Sequence, residues 1–135
     1  MAVTMQLRDA MNAHDLESFL ACFHDDYKSE QPVHPGRGFG GREQVRTNWS
    51  AIFAGMPDFA AVLVSRCQDE SQEWSEWRWT GTRSDGTTLD MAGVIVMGVH
   101  EGQIAWGRLY VEPVEAAEET IDQAVQQMTG HRQPT

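Results

Sequence analysis

The chain has 135 residues and a formal net charge of −10, from 10 basic and 20 acidic side chains. This surplus of negative charge repels phosphate backbones and anionic lipid, so we expect neither a nucleic acid nor a membrane as partner. The length fits one domain, and 41% hydrophobic with 22% charged residues is typical of a soluble globular protein. No segment approaches the roughly 18 apolar residues of a membrane span, and we expect a cytoplasmic location.

Helical periodicity dominates the first half of the chain. Three segments carry apolar residues at helical spacing: 3–11, 16–23 and 42–56. Asp15 is well placed to cap the second of these helices. A short strand over 27–33 and a loop with four glycines over 34–41 separate the second helix from the third.

The second half of the chain is rich in β-forming residues. Four long runs are predicted strands: 59–68, 73–83, 88–100 and 103–112. Gly86 and Gly102 lie where tight hairpin turns need a positive φ, so consecutive strands are expected to pair antiparallel. The length of the runs favours a strongly curved sheet. An amphipathic helix over 114–128 follows, and we expect residues 131–135 to form a flexible tail.

The order of these elements predicts an α+β fold. Helices come first and hairpins follow, without the alternation of strand and helix that builds a doubly wound sheet. We therefore expect a single domain over residues 1–130, in which the N-terminal helices cover one face of a curved antiparallel sheet.

Three pairs of short motifs resemble those of a known family. In the first pair, Asn12 and Asp15 are followed by Phe23 and Tyr27. In the second, Gly41 and Val45 are followed by Pro57 and Phe59. In the third, Gly81 and Gly86 are followed by Tyr110 and Glu112. By the order and spacing of these motifs, the chain resembles the nuclear transport factor 2-like superfamily, and in particular its SnoaL-like polyketide-cyclase branch. The resemblance covers about residues 5–113.

The resemblance implies a cone-shaped half-barrel whose concave side, closed by the helices, holds a mostly apolar pocket. It also implies acid–base chemistry without a cofactor, and a dimer interface on the outer face of the sheet. Isomerases, cyclases, dehydratases, epoxide hydrolases and non-catalytic binding modules share this cone, so function depends on the pocket residues. Leu109 stands where the similar limonene-type epoxide hydrolases carry a catalytic Asp, which argues against epoxide hydrolysis because leucine cannot activate water.

Three residues are candidates for catalysis. Glu76 and Arg78 lie two positions apart on one strand, so they share a face, and by the resemblance that face lines the pocket. There they would hold a substrate oxygen or act as an acid–base pair, although buried charges also pair for structural reasons. If the strand is shifted by one residue, both face solvent and Trp77 and Trp79 face the pocket. His34, on the glycine-rich loop near the mouth, is a candidate proton acceptor.

Seven further residues are candidates for ligand contacts. Glu30 lies just upstream of His34, and Asp90 begins the strand that pairs with the Glu76 region. The remaining candidates are apolar: Trp49, Phe53, Met56, Met91 and Leu109. Such residues are ordinary core by default, but seven Met and five Trp in the chain also fit the wall of a hydrophobic pocket. Glu112 matches an acidic position of the family, where capping of the strand end is an equally good explanation.

Tryptophans on the other face of the sheet favour self-association. In the register that turns Glu76 inward, Trp77, Trp79 and Trp106 would lie together on the outer face. An exposed tryptophan cluster is unfavourable for a monomer, so we expect a homodimer through that face. No pair of histidines or cysteines stands at metal-ligand spacing, and no nucleotide-binding motif is present, so no metal or cofactor is expected.

The sequence therefore supports two hypotheses of function. The first is a SnoaL-like protein that binds a hydrophobic, oxygen-bearing small molecule in its cone and, as an enzyme, catalyses cyclisation, isomerisation or dehydration by acid–base chemistry. The second is a non-catalytic ligand-binding or interaction module. The absence of an acid at Leu109 keeps the second hypothesis open.

Overall fold

A computed structural model describes residues 1–130 of the chain. The elements in chain order are α1 (Val3–Ala13), α2 (Leu16–Ala21), β1 (Phe23–Glu30), a 3-10 turn (Pro35–Arg37), β2 (Phe39–Gly40), α3 (Arg42–Gly55), β3 (Ala60–Asp69), β4 (Gln72–Thr82), β5 (Thr88–His100), β6 (Gln103–Pro113) and α4 (Ile121–Thr129). The predicted tail at 131–135 lies outside the described residues. No helix within residues 1–130 is long and apolar enough to cross a membrane.

The six strands form one sheet in the order β2-β1-β6-β5-β4-β3. The predicted hairpins are confirmed, because β3 to β6 pair antiparallel with their sequence neighbours. β1 pairs parallel with β6, so the curved sheet is mixed rather than wholly antiparallel. The α+β fold with helices over a curved sheet is therefore confirmed, and the parallel pair brings an early strand beside the last one.

Helix ends follow local capping chemistry. The side chain of Asp15 accepts a hydrogen bond from the backbone N–H of Ser18, 3.1 Å away, which confirms the predicted cap of α2. α4 begins at Ile121, seven residues later than predicted, because Thr120 and Gln123 form a capping box there. The apolar side chains Val125 and Met128 of α4 are exposed.

The core lies between the helices and the concave face of the sheet. α1 and α2 bury Leu7, Met11 and Phe19 against inward-facing residues of the long strands. These strand residues include Trp77 and Ile95. Asn12 fixes α1 to the edge strand β3: its amide nitrogen donates to the Ala61 carbonyl at 2.9 Å, and its amide oxygen accepts from the Ala61 N–H at 2.8 Å. The side chain of Asn12 therefore anchors α1 to the sheet at both backbone groups of Ala61.

β4 has the shifted register, in which Trp77 and Trp79 rather than Glu76 and Arg78 face inward. Glu73, Ser75, Trp77 and Trp79 are buried on the concave face, whereas Trp74, Glu76 and Arg78 are exposed on the convex face. The prediction that Glu76 and Arg78 face the pocket is therefore wrong. The physical reason is that this register buries Trp77 and Trp79 in the core. Glu73, the one charged residue on that face, is only 3% exposed and is paired with Arg66 at 2.7 Å.

The prediction of a tryptophan cluster on the outer face of the sheet is also wrong. Trp77 and Trp79 lie in the core, and only Trp74 of β4 reaches solvent. Trp106 lies in β6 across from Gly98, with the Arg108 guanidinium 4.6 Å from its ring centroid. A different set of apolar side chains is exposed on the convex strands, and it includes Val62, Val64 and Tyr110.

Candidate functional site

A cavity of about 190 Å³ lies between α3 and the concave face of the sheet. Five aromatic side chains form much of its wall: Phe23, Tyr27, Phe39, Trp49 and Trp79. Aliphatic side chains complete the apolar lining, and Ile95, Met97 and Leu109 supply its floor from β5 and β6. Cavities of this kind are where folded domains bind small molecules.

The lining residues follow the periods of the elements that carry them. On β1, Tyr27 and Ser29 are two residues apart and face the same side, and Gln31 continues their line. On α3, Val45, Asn48, Trp49 and Ile52 fall at the spacing i, i+3, i+4 and i+7 of one helix face. The cavity therefore has one wall from the sheet and one from α3.

Aromatic contacts hold the wall of the cavity in place. The Trp49 ring lies 4.6 Å from the Phe19 ring and 5.7 Å from the Trp79 ring, centroid to centroid, and meets Trp79 edge to face. The Tyr27 ring lies edge to face with Phe23 at 4.8 Å. Because each ring contacts other rings, the walls cannot move apart without breaking several packing contacts.

Trp79 provides a hydrogen-bond donor without a partner. Its side chain lines the cavity and is 8% exposed. Within residues 1–130, its indole N–H makes no hydrogen bond to the protein. Buried donors are nearly always paired, so this N–H, which is buried within the wall rather than open to the cavity, is an exception.

Tyr27 provides a second polar group in the lining. Burial raises the pKa of its phenol, and a hydrogen bond with the Ser29 side chain only partly offsets that shift. The hydroxyl therefore stays protonated well above neutral pH and remains a donor. The absence of a side chain at Gly107 makes room for it, because a Cβ atom there would lie 2.7 Å from the hydroxyl oxygen.

Two amides add to the polar groups of the lining. The Gln31 side-chain oxygen accepts from Arg37 at 3.1 Å, and the Asn48 side-chain oxygen accepts from Gln44 at 2.8 Å. The described lining contains no Asp, Glu, His, Lys, Arg or Cys. The cavity is therefore polar at a few points but carries no formal charge.

The structure brings His34 and Glu112 together. The Nε2 atom of His34 lies 2.9 and 3.0 Å from the two carboxylate oxygens of Glu112. The backbone N–H of His34 donates to the carbonyl of Gln31, whose side chain lines the cavity. Both side chains of the pair are about one third exposed. This partly exposed pair therefore lies beside a residue of the cavity wall but not in the wall itself.

Glu76, Arg78 and Asp90 lie away from the cavity. Arg78 donates from Nε and Nη2 to the two oxygens of Asp90, both at 2.6 Å. This bidentate pair raises the pKa of Arg78 and lowers the pKa of Asp90. Glu76 accepts instead from the Ser65 hydroxyl at 3.2 Å. The predicted pairing of Glu76 with Arg78 is thus replaced by a surface ion pair between Arg78 and Asp90.

Two of the predicted contact residues, Trp49 and Leu109, line the cavity. Phe53 points elsewhere on α3 and stacks on the His14 ring with centroids 4.7 Å apart. Met56 lies outside the cavity against Gly81, and Met91 packs at the edge of the core. Glu30 is exposed at the end of β1. The predictions that these four residues and Asp90 line the pocket are therefore wrong.

Sequence reasoning missed four polar residues of the cavity, Tyr27, Ser29, Gln31 and Asn48, and gave the fifth, Trp79, only as the alternative register of its strand. A signal for the first four existed. Alternation along β1 places Tyr27, Ser29 and Gln31 in one line, and the period of α3 places Asn48 beside Trp49. The fifth, Trp79, depended on the register of β4.

Comparison with solved structures identifies the fold class. Wild-type IdmH from Streptomyces antibioticus, named as a candidate polyketide cyclase, is 21% identical with a TM-score of 0.70, over 82% of this chain and 89% of that one. A candidate SnoaL-like polyketide cyclase from Jannaschia sp. CCS1 is 18% identical with a TM-score of 0.69, over 82% and 83% of the two chains. A candidate ketosteroid isomerase from Kribbella flavida is 18% identical with a TM-score of 0.68, over 98% and 88%. The fold is that of the nuclear transport factor 2-like and ketosteroid isomerase-like proteins.

The sequence comparison identifies the family. The family model for the SnoaL-like domain matches residues 5–106, so the chain belongs to the SnoaL-like family. No curated protein matches the chain.

Proposed function

We propose that this SnoaL-like chain binds a small hydrophobic molecule with a hydrogen-bond-accepting oxygen in the cavity between α3 and the sheet. The observation that carries the proposal is the cavity itself, about 190 Å³ in volume, with a mostly apolar wall and a few uncharged polar residues such as Tyr27 and Gln31. Filling the cavity removes apolar wall from contact with water, and an oxygen on the ligand can accept a hydrogen bond from a polar group of the lining. The uncharged lining favours binding over acid–base chemistry inside the cavity.

Thermal shift and calorimetric titration with a panel of hydrophobic oxygen-bearing compounds test this proposal. We expect at least one compound to raise the midpoint of unfolding, because a ligand that binds only the folded state stabilises it. The matched control is Leu109→Trp, which adds volume to the lining and should abolish the shift. A shift that survives in this variant would place the bound compound elsewhere and contradict the proposal.

A second candidate function is cofactor-independent cyclisation, isomerisation or dehydration, supported by the His34–Glu112 pair. A carboxylate that orients an imidazole is a common arrangement for a general base. In this scheme His34 removes a proton next to a carbonyl of a bound molecule that extends past Gln31 and then returns it. Turnover of any compound that binds is the test: His34→Gln and Glu112→Gln should each reduce turnover while binding is retained. Equal turnover in wild type and both variants would exclude this scheme.

We also propose a homodimer through the convex face of the sheet, in the cytoplasm. Exposed Val62, Val64, Trp74 and Tyr110 support the dimer, since such a set is unusual on a monomer. The two cysteines, both free, fit a reducing compartment. Sedimentation of wild type and of Trp74→Lys tests the dimer. A monomeric wild type, or a variant that sediments like a dimeric wild type, would contradict it.

A further inference from the structure

We infer that residues 31–38 form a strap at the mouth of the cavity, latched by the ion pair of His34 with Glu112 and released when the imidazole loses its charge above neutral pH. Release of the strap speeds the entry and exit of a ligand, so the strap is a gate. The gate rests on the proposed binding function, whereas the latch is a property of the empty protein. The two are therefore tested separately.

The mouth of the cavity lies where its lining residues reach solvent. Most of the lining is buried, and the partly exposed lining residues are Gln31 and Phe39 on the β1–β2 connection, Asn48, Trp49 and Ile52 on α3, and Leu109 on β6. Gln31 is the first residue of the strap, and Phe39 directly follows its last. The strap therefore begins and ends at the mouth.

The strap is one internally bonded unit. The backbone N–H of His34 donates to the carbonyl of Gln31 at 2.7 Å, and the N–H of Arg37 donates to the carbonyl of His34 at 2.9 Å. The Arg37 guanidinium also donates to the side-chain oxygen of Gln31 at 3.1 Å. The strand pairing of Ser29 with Phe39 holds the base of the strap. Residues 31–38 can therefore move together without breaking the sheet.

One polar side-chain contact ties this unit to the rest of the protein. Among residues 1–130, the only hydrogen bond or ion pair from a strap side chain to a residue outside the strap joins His34 to Glu112 on β6. The Nε2 atom lies 2.9 and 3.0 Å from the two carboxylate oxygens, and both side chains are about one third exposed. Breaking this contact leaves the middle of the strap without a polar anchor.

The charge of His34 sets the strength of the latch. A hydrogen bond between an imidazolium and a carboxylate is roughly twice as strong as one between neutral groups. An imidazole ordinarily loses its charge between about pH 5 and 8, a range in which carboxylates stay ionised. The latch is therefore strong below about pH 6 and weak above about pH 8. For a partly exposed pair, we expect this difference to change the opening equilibrium about two- to fivefold.

The neighbouring charged groups do not take over this role. The charged side chains on the elements beside the latch are Lys28, Glu30, Arg37, Asp90, Arg108 and Glu115. None of these residue types ordinarily changes charge between about pH 5 and 8. Arg37 is directed to Gln31, and Asp90 is held by Arg78. His34 is therefore the titrating member of the latch.

Limited cleavage by trypsin measures opening of the strap in the full chain without ligand. Trypsin cuts after Arg37, which is exposed in the strap, and a protease cuts a segment faster when that segment opens locally. The exposed bond after Arg83, in the turn between β4 and β5, is an internal control for the pH dependence of trypsin itself. We expect the ratio of cleavage after Arg37 to cleavage after Arg83 to rise about two- to fivefold from about pH 6 to about pH 8.

Substitutions at the latch separate its charge from its structure. Glu112→Gln removes the carboxylate charge, so the ratio should be as high at both pH values as in wild type at the higher pH. His34→Arg keeps a permanent positive charge, and trypsin does not cut there because Pro35 follows. This variant should have a low ratio at both pH values. Glu76→Gln, which removes a carboxylate from the convex face, is the matched control and should behave like wild type.

Exchange of anisole, a single ring with an accepting oxygen, tests the gate. The cavity of about 190 Å³ is larger than the cavity of about 150 Å³ that accommodates benzene in another protein. NMR exchange measurements give the association and dissociation rates. The latch is made in both the empty and the occupied protein, so Glu112→Gln at about pH 6 should raise both rates about two- to fivefold and leave Kd within about twofold.

The outcomes separate the latch, the gate and the binding function. A ratio that is equal at both pH values in wild type, or a high ratio in His34→Arg, overturns the latch, and so does a low ratio in Glu112→Gln at the lower pH. A released strap with unchanged anisole rates overturns the gate, although binding stands. Failure of anisole to bind at either pH contradicts both the gate and the proposed function, while the cleavage ratio still decides the latch.

Discussion

Replacement of Gly107 by alanine tests the position of the Tyr27 hydroxyl in the unliganded protein. A Cβ atom at position 107 would lie 2.7 Å from the Tyr27 oxygen, whereas ordinary contacts begin near 3.4 Å, so the oxygen must withdraw by about 0.7 Å. Tyr27 is 5% exposed and its ring meets Phe23 and Phe39 edge to face, so the ring moves only by disturbing those contacts, even where it borders the cavity. The clash is therefore relieved at the expense of aromatic packing.

Two opposing effects set the magnitude of the destabilisation. Forcing an extra methyl group into a packed core costs about 1–3 kcal/mol. Alanine also restricts the unfolded chain more than glycine does, which returns about 0.4–1 kcal/mol. We expect Gly107→Ala to lower the free energy of unfolding by about 1–2 kcal/mol and the melting temperature by about 3–8 °C. Urea denaturation should show a lower midpoint with an unchanged m-value.

A double-mutant cycle with Tyr27→Phe isolates the contact. Without the hydroxyl oxygen, the next atom of the ring lies 3.5 Å from the new Cβ, which is an ordinary contact. In that background Gly107→Ala should be neutral, or stabilising by up to about 1 kcal/mol. The reasoning is refuted if the alanine destabilises the protein equally in both backgrounds, since the oxygen would then not be the cause.

Three further predictions concern other parts of the fold. Asn12→Ala should lower the free energy of unfolding by about 1–3 kcal/mol, because both backbone groups of Ala61 lose their partner; chemical denaturation measures this, and an unchanged midpoint would contradict it. Hydrogen bonds from Thr82 lower the pKa of Asp58, so wild type should lose stability as the pH falls below about 4, and melting curves of Asp58→Asn should show a weaker loss. The affinity of a neutral compound that binds in the cavity should be constant from about pH 6 to 9, because Tyr27 stays protonated there and the described lining holds no charged side chain; calorimetry showing a change near neutral pH would instead indicate a titrating base.

The long strands of this fold could be predicted from the sequence because each has a strong local signal, whereas β1 begins four residues before its predicted start at 27 and the two-residue strand β2 was not predicted. The strand predicted at 88–100 matches β5, and the run at 103–112 matches β6 to within one residue. Turn glycines such as Gly86 and Gly102, both with positive φ, mark the hairpins directly. The parallel pairing of β1 with β6 had no such signal, because it joins segments about eighty residues apart in the chain.

The faces of β4 were harder to predict because both carry aromatic and charged residues. The inward set includes Glu73 with Trp77, and the outward set includes Arg78 with Trp74. The inward face has two tryptophans and one charged residue, against one tryptophan and two charged residues on the outward face, so the difference in composition is small. The inward charge, Glu73, is neutralised by Arg66 from the neighbouring strand, and this contact exists only once β3 and β4 have paired.

The candidate site was predicted only in part. The period of α3 indicated Trp49 and the resemblance indicated Leu109 on β6, but Tyr27 and Trp79 come from two further strands of the sheet. Whether such residues meet depends on strand order and curvature, which are properties of the assembled sheet. The predictions based on position along the strand therefore placed Asp90 and Met91 at a pocket that they do not reach.

The pairing of β1 with β6 determines when the cavity can form during folding. Phe23 pairs with Ile104 and Glu30 with Arg108, so the strand that carries Tyr27 is held by the strand that carries Leu109. Contacts between such distant segments require closure of a long loop and tend to form slowly. A chain still in synthesis, or one cut before β6, therefore lacks a wall of the cavity. We expect acquisition of ligand binding to report that the chain has folded from its first strand to its last.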